Sequence, residues 1–448
     1  MTRPRTADAA EVVVIGAGPA GCACALAFAR RGARVTVLEA GRSSPRRLAG
    51  EWVQPAGVEA LRRIGVDLVD HAGGTPNRGF VMHPGDGTAP IALPYPEGGA
   101  VSLSHARLTE VLRHAVTEHP GIELTAGVRA LEADPYGTVR TSRGTVRGRL
   151  VVGADGRSSV VRASLARTEP GGGLAPKVPL SHMAGLALDD VPLPAEQYGH
   201  IMLGGPGPAL AYRLDERTVR LCLDVPLARP DPRELRSYLW HGYADALPAP
   251  LRPAMAAQLE AGRVRWAANH FRRRTFYGRG RCALVGDAAG HTHPLVASGL
   301  SAAFLDAECL ARSAGVAAYA RERTLQCWTS DRLGASIHRI LTEHTPATRA
   351  LRRAMFAMWR GDTGKRDRSL RLLAMTENRN RTFAAAFLDV LTRAVSSSAH
   401  HAVTTGRWEE LAQEIAGYLT WLEWLGGPRA GIPPKQYGRR PLMTFLGP

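Results

Sequence analysis

Glu11-Val12-Val13-Val14-Ile15 runs directly into Gly16-Ala17-Gly18-Pro19-Ala20-Gly21, and this junction decides the fold. The first stretch is apolar and β-branched, the pattern of a parallel strand buried on both faces. After the glycines comes an alanine-rich segment, predicted as a helix from about Pro19 to Arg31, with Gly32 placed to end it. Val35-Thr36-Val37-Leu38 reads as a second strand that ends at Glu39, which completes a βαβ unit. In such a unit Gly16 permits the tight turn, Gly18 lets the backbone approach a pyrophosphate, and Gly21 lets helix and strand pack closely. The pyrophosphate lies at the positive end of the helix, and Glu39 is placed to accept hydrogen bonds from ribose hydroxyls. The opening of the chain therefore predicts a dinucleotide site.

Working outward, Val58 to Ile64 reads as a helix, and residues 71 to 100 are rich in Gly and Pro, with strand-like pieces at Phe80–Met82 and Ile91–Leu93. Ser104 to Glu118 is predicted helical, with Leu108, Leu112 and Ala115 on one face. Leu150 to Gly153 reads as another buried strand, and residues 168 to 180 as a loop or crossover. Alternating apolar residues from Ser181 to Val225 predict antiparallel strands, among them Ala209–Leu214 and Val219–Val225. A helix is expected from Asp231 to Leu247 and a strand at Cys282–Val285; from about Ala302 onward the pattern is mostly helical.

With 448 residues, two or three packed units are expected. Hydrophobic content of 45% and charged content of 22% are ordinary for a soluble globular chain. The formal net charge of +17 is carried almost wholly by arginine, since the lysines are Lys177, Lys365 and Lys435 alone. The arginines are dispersed, with no basic tail or aromatic-interleaved patch, which argues against nucleic acid as the partner. The six cysteines form no CxxC pair and no zinc spacing, so buried reduced thiols and a cytoplasmic location are expected. No apolar run reads as a signal peptide or membrane span. Trp408, Leu411, Ile415, Tyr418, Leu419, Leu422 and Leu425 fall at helical spacing, either a helix packed on the body or an amphipathic surface that docks on membrane.

Two later stretches carry a family resemblance. Leu150-Val151-Val152-Gly153-Ala154-Asp155-Gly156-Arg157 resembles the Asp-Gly motif of FAD-dependent monooxygenases of the aromatic-hydroxylase fold, and Cys282-Ala283-Leu284-Val285-Gly286-Asp287-Ala288-Ala289 resembles their Gly-Asp motif. Gly50-Glu51-Trp52-Val53-Gln54-Pro55-Ala56-Gly57 and His293-Pro294-Leu295-Val296-Ala297-Ser298-Gly299-Leu300 are similar to two stretches of squalene epoxidases, the second a loop beside the flavin ring. Bacterial polyene and polyether epoxidases belong to the same neighbourhood. Against that pattern, Ala297 and Ser298 replace two glycines, and Phe80 stands where squalene epoxidases usually carry a tyrosine.

The resemblance implies an α/β chain with a Rossmann-type FAD-binding domain in three segments (8–75, 101–175 and 276–330). A mostly antiparallel β substrate domain (76–100 and 176–275) interrupts it, and a helical C-terminal region (331–448) completes it. It implies that FAD is held by Gly16, Gly18, Pro19, Ala20, Gly21, Glu39, Ala40, Arg42, Gln54, Arg107, Val128, Asp155, Gly156, Gly286, Asp287, Pro294, Gly299 and Leu300. Gln54, Phe80, Pro294 and Gly299 are expected around the flavin ring and substrate, with no acid or base assigned and no metal. His291-x-His293 is the one pair with metal-like character, and no third ligand stands near it in sequence.

The implied activity is insertion of one oxygen atom from O₂, by way of a C4a-hydroperoxyflavin, into an apolar substrate. Epoxidation of an alkene in a terpenoid or polyketide leads, as in bacterial natural-product biosynthesis. NADPH or NADH supplies electrons, directly or through a partner reductase. Alternatives on the same scaffold are aromatic hydroxylation, reduction of isoprenoid double bonds and a flavin-bearing carrier without turnover. A flavin-dependent halogenase is disfavoured, because no lysine precedes Lys177 and no Gly-Trp-x-Trp-x-Ile-Pro stretch occurs.

Overall fold

The computed structural model describes residues 10–41, 48–167, 175–228, 231 and 233–427. Its first sheet is mainly parallel, in the order Gly278–Arg279, Cys282–Leu284, Gly144–Gly153, Ala10–Ile15, Val35–Glu39, Ile122–Ala126. Ala10–Ile15 lies at its centre, parallel to Gly144–Gly153 on one side and Val35–Glu39 on the other, with Val13 opposite both Val151 and Thr36. Val12, Val13 and Val14 are buried, as the uninterrupted β-branched run requires. The helix Pro19–Ala29 is buried along nearly its whole length, because it packs against the sheet and against helices His105–Glu118 and Gly299–Arg312.

The second sheet is mostly antiparallel, in the order Arg265–Phe271, Val178–Asp189, Thr218–Pro226, Ala209–Arg213, Tyr198–Met202, Gly79–His83, Ile91–Pro94. Its one parallel pair joins Tyr198–Met202 to Gly79–His83. Trp52–Val53, Ala100–Ser102 and Thr75–Asn77 form a small third sheet at the crossings between the two. The helices Val316–Thr342, Pro346–Gly361, Thr363–Leu373, Asn380–Thr405 and Trp408–Gly426 follow and share a hydrophobic core with one face of the second sheet.

Some elements depart from the sequence expectation. The helix expected over Asp231–Leu247 is regular only over Leu235–Tyr243 and tightens into a 3₁₀ turn at Ala244–Ala246. Leu251–Glu260 forms a further helix. Arg265–Phe271 is a strand although its sequence, Arg-Trp-Ala-Ala-Asn-His-Phe, is poor in β-branched residues; pairing with Val178–Asp189 decides it. The expected loop over 168–180 lies outside the described residues at 168–174, and by Val178 the chain is already in a strand.

Candidate active site

The three glycine turns converge. A Cβ on Gly16, whose φ is +102°, would stand 2.8 Å from the Ala154 carbonyl oxygen, and one on Gly286, at φ +58°, would stand 3.1 Å from the Ala20 Cβ. A Cβ on Gly21 would fall 1.8 Å from the Gly16 carbonyl oxygen, so close packing of turn on helix forbids any side chain there. Gly18, Gly156 and Gly299 differ: a Cβ on any of them would meet no protein atom within 4 Å. The space before them suits a bound group approaching the backbone, and FAD fits these residues.

Glu39 ends its strand where expected. Its carboxylate accepts from the N–H groups of Ala17 and Gly41, each at 2.7 Å, and its carbonyl accepts from Val128 N at 2.9 Å. Ala40 beside it is exposed, and Arg42 lies outside the described residues. Arg107 donates through Nε to the Ala72 carbonyl and through Nη1 to Glu110. On the same helix Arg113 reaches the fingerprint turn, donating through Nε to the Ala17 carbonyl at 2.7 Å and lying 3.5 Å from Glu39. No motif in the sequence marks Arg113.

The Asp-Gly and Gly-Asp turns are stitched together. Arg157 Nε donates to Asp287 at 3.1 Å, and Arg162 donates to the carbonyls of Arg157 and Ala288. Asp155 caps the helix Val160–Arg167 through Oδ2, which accepts from Val160 N at 2.6 Å, while its buried Oδ1 has no partner. Behind the turns, Asp306 is wholly buried between Arg274 (2.9 Å) and Arg323 (2.7 Å), and its Oδ2 also accepts from Gly286 N. One carboxylate thus fixes the Gly-Asp turn and neutralises buried guanidinium charge.

Gln54, with no exposed surface, links two remote segments. Its Nε2 donates to the Val296 carbonyl (2.9 Å), its backbone N–H donates to Ser301 Oγ (2.8 Å), and its Oε1 accepts from the Tyr95 hydroxyl (2.5 Å). Phe80 packs nearby, stacked on Trp52 with centroids 4.8 Å apart and edge-on to Tyr95. Pro294 opens a 3₁₀ turn and is exposed, as is Gly299 at the start of its helix; Leu300 is half-buried. Ala297, in place of a glycine, takes a left-handed φ of +50°. That conformation costs a residue with a Cβ roughly 1–2 kcal/mol.

His291 and His293 do not share a site. Both ring nitrogens of His291 are buried without a partner, and burial pushes its pKa down to about 4. His293 Nδ1 accepts from Leu295 N, so Nε2 carries the proton, which it presents to Asp224 Oδ1 at 3.1 Å. Ser181 and Asn269 also donate to Asp224, and His338 Nε2 stands 3.8 Å from the other carboxylate oxygen. Burial alone would raise the Asp224 carboxyl, but His293, His338 and Ser181 outweigh it and hold it below its usual value. Burial and His293 push His338 down to about 3, so it is neutral. Ligand atoms of Asp224, His293 and His338 lie within 4.8 Å of one another, but the protein's own hydrogen bonds already engage Asp224 and His293. The network pins the loop at 293–296 to the second sheet.

Beside that loop lies an apolar cavity. Leu295 and Val296 of the loop, Phe80 and Met82 of the second sheet, and Trp359 and Phe387 of the C-terminal helices line it. No titratable side chain is among its described walls.

A dinucleotide cleft whose last turn leads into the wall of an apolar cavity is the arrangement of FAD-dependent monooxygenases, and that is the class this fold defines. The chain belongs to the FAD-binding-domain family, whose profile matches residues 9–337. Squalene epoxidase of Aspergillus fumigatus is 32% identical over 320 residues, covering 66% of this chain and 64% of that protein. The squalene epoxidase of Schizosaccharomyces pombe is 31% identical over 322 residues, 68% of each. The chain thus spans about two-thirds of the length of these relatives. Among solved structures, PqsL of Pseudomonas aeruginosa has the same fold, with a TM-score of 0.62 at 22% identity over 75% of this chain and 97% of that one.

Two outcomes are expected. Tyr95→Phe leaves Gln54 Oε1 buried without a donor and lowers unfolding free energy by about 1–3 kcal/mol in urea titration. For His338 the unfolded chain binds a proton that the folded chain refuses between its ordinary 6.5 and about 3, so stability falls as pH drops through that window. His338→Gln removes this component, and its loss of stability between pH 6.5 and 5 is smaller than the parent's by about 2 kcal/mol.

Proposed function

We propose that this protein epoxidises an isolated alkene in an apolar terpenoid or polyketide, using O₂ and FAD, with NADPH or NADH as the electron source, directly or through a partner reductase. The observation that carries the reading is the cavity wall. Phenol hydroxylation is helped by a base that converts the ring to its phenolate, and among the described residues no titratable group lines this cavity. An isolated π-bond needs no proton removed before it accepts an oxygen atom, only close placement in a dry site.

FAD, when bound, supplies the activation of O₂. The chain's own part is to hold and to exclude. Gly16, Gly18 and Gly21 would let a pyrophosphate approach the helix start, and Asp287, one-third exposed and held by Arg157, would accept from a ribityl hydroxyl. Gln54 and the Asp224–His293 network fix the loop on which Leu295 and Val296 form the cavity wall. Apolar side chains around the substrate keep water from the reacting centre. Similarity to squalene epoxidases supports oxygen transfer to an alkene; the substitutions Phe80, Ala297 and Ser298 favour a substrate other than squalene. We place the enzyme in bacterial natural-product biosynthesis on the same reading.

No helix among the described residues is long and apolar enough to cross a membrane. The helix Trp408–Gly426 buries Tyr418 and Trp421 against the body but exposes Trp408, Ile415, Leu419 and Leu422. That second, outward row supports peripheral contact with a bilayer, from which a greasy substrate is collected.

The protein loaded with FAD, supplied with NADPH and a flavin reductase under ¹⁸O₂ and offered farnesyl acetate, is expected to give an epoxide carrying one ¹⁸O by mass spectrometry. Saturation of a double bond without O₂ would overturn the reading, and ring hydroxylation of an indole or phenol probe in preference would move it to the aromatic class. For the membrane contact, Leu419→Glu with Leu422→Glu is expected to cut co-sedimentation with phosphatidylglycerol vesicles at least fivefold; unchanged binding removes that element.

A further inference from the structure

Trp359, on the helix Pro346–Gly361, and Ser336, on Val316–Thr342, both line the apolar cavity and are only 6% and 4% exposed. Neither Trp359 Nε1 nor Ser336 Oγ has a hydrogen-bond partner. Trp52 Nε1 is likewise without one, but several comparable side chains in this core are satisfied. Trp421, in the same helical core, donates through Nε1 to Thr348 Oγ1. Thr324 and Thr342, on the same helix as Ser336, donate to the carbonyls of Ala320 and His338, four residues back, and Ser369, also in the cavity wall, donates likewise to Lys365. Ser336 forgoes that bond. A buried indole N–H usually finds a partner, and each orphan is costly to a folded protein unless something arrives to satisfy it.

We propose that the substrate is an oxygenated apolar chain, not a plain hydrocarbon, and that Trp359 and Ser336 bind its oxygen. This rests on the epoxidase reading and deepens it. An indole N–H only donates, so the ligand group must accept. It must also be neutral, because among the described residues no cation lines the cavity to balance a carboxylate or diphosphate there. An ether, ester, ketone or hydroxyl oxygen meets both conditions. Binding it among the helices orients the chain, so that one particular double bond is presented to the loop wall at Leu295 and Val296.

The test is equilibrium binding to the FAD-loaded protein without any reductant. The probes are farnesyl methyl ether and the hydrocarbon in which CH₂ replaces its oxygen. The ether is expected to bind about tenfold more tightly, the worth of one buried hydrogen bond. Trp359→Phe, which keeps an aromatic ring but lacks the N–H, is expected to erase most of that preference, and Ser336→Ala to reduce it. Equal affinity of the parent protein for both probes overturns the proposal, whatever the variants do, and shows the two donors to be satisfied by solvent. A preference that survives in both correctly folded variants, judged by their melting temperatures, also overturns it. Because no turnover is involved, a failure here is distinct from a failure to form the ¹⁸O-labelled epoxide.

Discussion

A buried amide is held by hydrogen bonds or not at all, and Gln54 is the clearest case in this chain. It sits with no exposed surface between Tyr95, Val296 and Ser301, joining sequence positions some 240 residues apart. A Cβ on Gly57 would fall 2.7 Å from Ser301 Cα, so the segment also presses directly on the start of the helix that follows the loop. Three residues before Gln54, Glu51 makes a buried bidentate pair with Arg220 of the second sheet and accepts from Tyr212. One short strand and its flanking residues thereby tie the second sheet, the loop at 293–296 and the helix after it into a single arrangement. Loosening any tie leaves a buried polar group uncompensated, which makes the arrangement close to all-or-none.

How much of this the sequence discloses depends on how local each signal is. The glycine fingerprint, the β-branched strand before it and the strand ending at Glu39 are contiguous patterns with one physical meaning, and the structure has them where expected. Gly50–Gly57 and His293–Leu300 are legible as two resemblances, but their mutual contact is not, because nothing in either segment encodes the other. The same holds for Asp306 with Arg274 and Arg323, and for Asp224 with His293: the partners are single polar residues scattered along the chain, without period or spacing. Arg113 carries no motif, and only the packing of its helix against the fingerprint turn shows that it reaches the Ala17 carbonyl. Arg265–Phe271 escapes a pattern-based reading because its neighbour, not its composition, makes it a strand.

The basic balance of the chain also acquires a partial physical account. Arg162, Arg220, Arg274 and Arg323 are buried and serve as multi-toothed donors to carboxylates and carbonyls at the joints between segments. Lysine, a point donor with a strongly hydrated head, would not replace them there. Part of the arginine excess is therefore framework and does not speak to an external acidic partner.

The cavity is walled by two unlike parts of the chain. Leu295 and Val296 belong to the region that matches the FAD-binding family, whereas Met355, Trp359, Leu370 and Phe387 lie beyond its end at residue 337. Substitutions among the latter touch neither the glycine turns nor the acids that hold them. On the proposed function, the chain would resemble a tool with a separate cutting edge and jaw: recutting the helices would change the guest and leave the glycine turns untouched.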